Sequence, residues 1–158
     1  MKQHNYIATI TWTGNRGSGT DHYKNYERSH RISIDGKAEI EGSSDPAFLG
    51  DPNKYNPEEL LLASLSSCHM LWYLHFCSVN KIIVAEYVDH ATAIMLEEES
   101  GKGRFKEVTL NPSVRVKDAT MIAQAIELHQ KASEYCFIAN SVNFPVLHKP
   151  NVSISTSS

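Results

Sequence analysis

The run from Asn56 to Cys77, NPEELLLASLSSCHMLWYLHFC, constrains the fold more than any other part of the chain. Asn56 suits a helix N-cap, Pro57 the first helical position, and Glu58 and Glu59 the positive end of the helix dipole. The pattern predicts one helix continuing to about Asn80. Leu61, Leu65, Cys68, Trp72, His75 and Val79 share one face, while Leu62, Ala63, Leu74 and Phe76 make the other faces apolar too. A helix that is hydrophobic nearly all round belongs in the centre of a fold. Cys68 sits at its middle.

The remaining segments read as short strands and a second helix. Tyr6, Ala8, Ile10 and Trp12 alternate as a strand. Ile32 and Ile34, then Asp35-Gly36, then Ala38 and Ile40 form a hairpin, because Asp-Gly suits left-handed turn positions. Residues Gly42 to Tyr55, rich in Ser, Pro, Gly and Asn, read as a loop. Two long strands are expected over Ile82–Leu96 and Phe105–Val116, then a helix from Asp118 to Tyr135 with Ile122, Ile126, His129, Ser133 and Cys136 in phase. A last strand covers Phe144–Ile154, before a polar tail, Ser153–Ser158, expected to fray. Hairpins and meanders around two helices indicate an α+β fold with antiparallel sheets. At 158 residues, with 41% hydrophobic and 21% charged, the chain fits one globular domain over residues 1–158.

A net charge of −3 with no block of like charge leaves no basic face for nucleic acid and no basic amphipathic stripe for a membrane. The N-terminus lacks a signal-peptide layout and no apolar run is expected to reach transmembrane length, so the cytoplasm is expected. Three cysteines in that reducing compartment do not make a disulfide framework. An odd number without CxxC spacing argues against structural zinc.

That leaves thiol chemistry. Cys68 reads either as a core cysteine or as a reactive one, flanked by Ser66, Ser67 and His69 and with Cys136 as a potential partner. A peroxide-attacking thiol must be a thiolate, and the sulfenic acid it forms must be captured by a second thiol. Cys77, nine residues beyond Cys68, falls on the opposite helix face at about 100° per residue and reads as core packing. His69, His75, His129 and His148 show no repeated ligand spacing for a metal. His69 points about 100° away from Cys68, so a Cys-His hydrolytic dyad would need a histidine from elsewhere, such as His129. The glycines of NRGSG lack a Walker lysine, and Glu97-Glu98-Glu99 reads as a solvated hairpin end.

NPEELLLASLSSCHM together with LHQKASEYCFIANSV resembles the OsmC/Ohr family of osmotically induced and organic-hydroperoxide-resistance proteins. Tyr26-Glu27-Arg28-Ser29-His30 adds the Y-x-R-x-H segment of an OsmC-like branch, and the likeness extends over most of the chain. The resemblance implies a cysteine-based peroxidase that reduces organic hydroperoxides, with Cys68 as peroxidatic thiol and Cys136 as resolving thiol. It implies that Glu58 fixes an activating arginine, for which Arg28 is favoured over Arg16 and Arg31. It also implies an intertwined OsmC-like homodimer with active sites at the interface, and a dithiol reductant such as a lipoylated protein. No cofactor or metal is expected. One departure stands out: Phe137 follows Cys136, where many relatives have proline.

Helix geometry bears on the dimer independently. Glu58 precedes Cys68 by ten residues, about 15 Å along the axis, so one helix cannot bring that carboxylate beside that sulfur. Either an arginine spans part of the gap or a second subunit delivers Glu58. Alkyl groups of a substrate are expected against Leu65, Trp72 or Phe137. The alternatives are a hydrolytic or detoxifying thiol enzyme on the same fold, and a small-molecule-binding or oxidant-sensing module.

Overall fold

The computed structural model describes residues 1–155, so the last three residues of the polar tail lie outside the described residues. The chain resolves into two compact units, residues 1–60 and Leu61 onward.

The first unit holds a three-stranded antiparallel sheet, β1 (Thr9–Trp12), β2 (His30–Ser33) and β3 (Ile40–Gly42), in that order. Gly36 takes φ 72° in the turn between β2 and β3, the left-handed position that the Asp-Gly pair anticipates. Gly14 serves close approach instead: a Cβ there would lie 1.9 Å from the Glu27 carbonyl oxygen. Ile10 (63% exposed), Trp12, Ile34 and Ile40 leave this sheet with apolar surface in the open.

Helix α1 spans Pro57–Val79. Its start is a capping box: the Asn56 side chain accepts from the Glu59 N–H at 2.8 Å, and the Glu59 carboxylate accepts from the Asn56 N–H at 3.1 Å. Its end is a Schellman closure, with Ile82 N–H donating to the Cys77 carbonyl and Lys81 N–H to that of Ser78. Lys81 occupies the left-handed position, φ 61°, that glycine ordinarily fills.

The second unit contains β4 (Val84–Asp89), β5 (Thr92–Glu97), β6 (Gly103–Leu110), β7 (Pro112–Val116), helix α2 (Ile122–Tyr135), β8 (Val146–His148) and β9 (Asn151–Ile154). They form two sheets, β4-β7-β9 and β5-β6-β8. The α+β class holds, but the sheets are not purely antiparallel: β8 joins β6 and β9 joins β7 in parallel. Each expected long strand is broken in two. Asp89 causes the first break, accepting from the Asn111 N–H at 2.7 Å and from Ser66 Oγ at 2.5 Å, which ties both strand pairs to α1. Pro112 then opens β7 without an N–H to donate. Lys149-Pro150 divides the last strand in the same way, and Ser153 and Ile154, expected to begin a frayed tail, close β9.

Among the described residues every core hydrophobic lies in this second unit. One cluster packs Tyr73, Phe76 and Cys77 of α1 against Val114, Val116 and Val152 of the sheet and Ala125, Leu128 and Ala132 of α2. A second sets Leu65 against Val108 and Leu110. Cys77 is core packing, as expected.

The buried face of α1 is Leu65, His69, Tyr73, Phe76 and Cys77, not the Cys68-Trp72-His75-Val79 face. Leu71 (63% exposed), His75 and Val79 stay open, so the helix is not enclosed all round by its own chain. In α2 likewise Ala125, Leu128, His129 and Ala132 face inward while Ile126 faces out. By length and composition α1, at 23 residues, does reach membrane-spanning dimensions. Its burial of His69 and Tyr73 against a sheet and α2 is the packing of a core helix.

Candidate active site

Two elements of the second unit bring sulfur to sulfur. Cys68 projects from α1 half-exposed, and Cys136, buried, closes the C-terminus of α2. Cys68 lies near enough to Cys136 to act on its thiol. Burial first, and then the Cys68 neighbour, push the Cys136 thiol up to about 11. The Ala139 N–H donates to Cys136 Sγ at 3.4 Å and works in the opposite direction. All three cysteines are free thiols.

The polar stretch after Cys136 shapes this corner. Asn140 N–H donates to the Cys136 carbonyl at 3.0 Å, the Asn140 amide caps the Glu134 carbonyl at 2.9 Å, and Ser141 Oγ donates to the Phe137 carbonyl at 2.7 Å. The turn therefore holds without the proline common in relatives. Phe137, 67% exposed, meets the Trp72 ring edge-on at 5.6 Å, and Trp72 also packs on Tyr135 at 5.2 Å. Leu65 is fully buried, so only Trp72 and Phe137 of the three expected alkyl contacts present surface.

The polar residues flanking Cys68 are engaged elsewhere. Ser66 bonds Asp89, and Ser67 Oγ donates back to the Ser64 carbonyl at 3.2 Å. His69 turns into the core, where its Nε2 lies 3.0 Å from His129 Nδ1 in a near-parallel stack. His148 tilts against His69 with ring centroids 5.7 Å apart, and Tyr73 stacks on His129 at 3.8 Å. Burial holds His69 down at about 4 and His129 at about 3, and lowers His148 as well. The sequence offers His69, His75, His129 and His148 only as a set without ligand spacing, and the structure gathers His69, His129 and His148 while His75 packs on Trp72. The shared phase of His129 and Cys136 on α2 was the available signal. Among the described residues no group of three or more His, Cys, Asp or Glu is arranged to hold a metal ion.

The first unit holds the other expected site residues. Arg28 is spent on its own loop: it donates to the Tyr26 carbonyl at 2.5 Å and the Tyr23 carbonyl at 2.7 Å, with its guanidinium 4.2 and 4.3 Å from the two ring centroids. Arg16 pairs with Glu27 at 2.6 Å and holds that carboxyl below its usual range. Arg31 pairs with Glu39 at 3.5 Å. Glu58 is half-buried, and its carboxylate carries no hydrogen bond or ion pair among the described residues. The helix-capping carboxylate is its neighbour Glu59.

A protein-family model described as OsmC-like protein matches residues 50–150. The chain belongs to the OsmC-like family. An OsmC-like protein of unknown function from Vibrio cholerae is 31% identical with a TM-score of 0.83, covering 94% of this chain and 100% of its own. An organic hydroperoxide resistance protein from Elizabethkingia anophelis superposes with a TM-score of 0.70 at 22% identity, over 98% of this chain and 99% of that one. OhrB of Bacillus subtilis, an organic hydroperoxide resistance protein, gives a TM-score of 0.62 at 22% identity, over 94% and 98%. The last two share the fold. A search of curated protein sequences gave no match.

Proposed function

We propose that this OsmC-like chain is a cytoplasmic cysteine-based peroxidase for organic hydroperoxides, acting as a single OsmC-like domain. The observation that carries the reading is the proximity of a half-exposed and a buried thiol, set near each other by two helices. Cys68, the accessible one, attacks the distal peroxide oxygen as thiolate, releases the alcohol and becomes a sulfenic acid. Cys136 then displaces hydroxide to form the disulfide. A dithiol donor, a lipoylated protein among the candidates, returns the pair to thiols.

Arg28 and Glu58 enter as proposed roles, a guanidinium that stabilises the thiolate and a carboxylate that orients it. Arg28 must leave two carbonyls and two rings to act, whereas Arg16 must leave one exposed carboxylate. The first unit's sheet and the Leu71 side of α1 leave apolar surface that a second copy of the chain would cover, which supports the homodimer. The protein should sediment at twice its 17.7 kDa chain mass, and a stable active monomer would remove this part of the reading.

The test is stoichiometric. One equivalent of cumene hydroperoxide should yield one equivalent of the tertiary alcohol and remove two of the three thiols. Dihydrolipoamide should restore both. Replacing Arg16 and Arg28 in turn by Gln identifies the activating cation as the one whose loss slows thiol oxidation. Ester hydrolysis dependent on Cys68, with no thiol loss on peroxide, would favour the hydrolytic alternative.

A further inference from the structure

The disulfide-forming step poses a proton problem. Cys68 sulfenic acid and the Cys136 thiol give one S–S bond and one water. The S–O bond of Cys68 breaks with its electron pair leaving on oxygen. The Cys68 sulfur is reduced, the Cys136 sulfur oxidised, and the Cys136 proton must finish on the departing oxygen. Cys136 is 1% exposed and lines a seam too narrow for a water molecule. A basic side chain in that seam would give the proton a route from the buried side of Cys136.

Two bases line the same seam, His69 and His148, beside Ser133. His69 Nε2 is committed to His129 Nδ1. His148 Nδ1 is buried with no hydrogen-bond partner among the described residues. A buried imidazole nitrogen left unpaired is costly unless something uses it. We propose that His148 accepts the Cys136 proton as that sulfur attacks the Cys68 sulfenic acid and passes it to the departing hydroxide. The proposal rests on the peroxidase reading.

The surroundings fit a single-proton relay. His148 tilts against His69 of α1, lines the same seam as Cys136 and Ser133, and is felt by His129 behind His69, while Asp89 favours charge on His69. His148 disfavours charge on His69, and both disfavour charge on His129. His148 is less enclosed than the other two.

The experiment is a single turnover with cumene hydroperoxide between pH 6.5 and 9, following sulfenic acid by a trapping reagent and disulfide by loss of free thiols. Native protein should close its disulfide at a rate nearly flat across that range, because a resident base takes the proton. His148→Asn keeps an amide near the Nδ1 position but cannot take a proton. It should form sulfenic acid within about twofold of native and close at least about tenfold more slowly at pH 7. Its closing rate should climb about tenfold per pH unit toward alkali, as attack by free thiolate requires. Equal closing rates, or a climbing profile in native protein, would overturn the proposal. The native profile decides alone if the variant does not fold. Native protein that forms no sulfenic acid overturns the peroxidase reading itself, a distinct outcome from slow or base-independent closing.

Discussion

Cys68→Ser should abolish hydroperoxide reduction, lowering turnover by about 10³-fold or more, while Cys136→Ser should leave the first oxidation nearly intact and stop there. A serine hydroxyl is a far weaker nucleophile than a thiolate and cannot form a sulfenic acid. Cys136 is buried and its thiol is pushed up to about 11, so it stays protonated while the accessible sulfur reacts. Trapping with a sulfenic-acid reagent separates the two: Cys136→Ser should accumulate a stable Cys68 adduct after one equivalent of peroxide. Cys77→Ser should leave both steps unchanged, since burial raises that thiol and its side chain belongs to the core. Full activity in Cys68→Ser would remove the peroxidatic role from this sulfur.

Mild acid should cost the fold about 3–4 kcal/mol between pH 7.5 and 5. His69 and His129 sit at about 4 and about 3 in the folded chain, against 6.5 when free. Below the free value the unfolded chain takes up protons that the buried pair refuses, so stability is intact above about pH 6.5 and falls as pH drops toward 4. Each histidine contributes about 2 kcal/mol at pH 5, from about 1.4 kcal/mol per pH unit. Asp21, Glu27, Glu39 and Asp118 have lowered values from local hydrogen bonds and ion pairs, and their losses come only below the ordinary carboxylate range. The window from pH 6.5 to 4.5 therefore reports the histidines. Urea midpoints at fixed protein concentration should fall across it in native protein and fall less in His129→Gln. A midpoint unchanged from pH 7.5 to 5 would contradict the neutral buried pair.

Where residue type alone dictates local geometry, the sequence was legible. Asn56 with Pro57 marks a helix start whatever surrounds it, and Asp35-Gly36 marks a turn. The faces of α1 were not, because apolar residues all round leave the period uninformative, and only packing chose Leu65, His69 and Tyr73 as the inner row. The mid-strand breaks were hidden as well, since they depend on Asp89 meeting Ser66 and Asn111 from distant parts of the chain. The same limit applies to chemistry. Residue type offers Cys68 and Cys136 as a potential pair, and family resemblance assigns their separate roles, because linear spacing holds no distance between two helices. His148, at the end of a three-residue strand, carried no periodic signal linking it to His69 or Cys136.

Peptide mapping without reduction, after one equivalent of cumene hydroperoxide, tests most directly whether the two neighbouring sulfurs are a working redox couple. A single link between the Cys68 and Cys136 peptides is expected, with Cys77 still free. Peroxide left unconsumed, or consumed with the Cys68 and Cys136 thiols both intact, would contradict it.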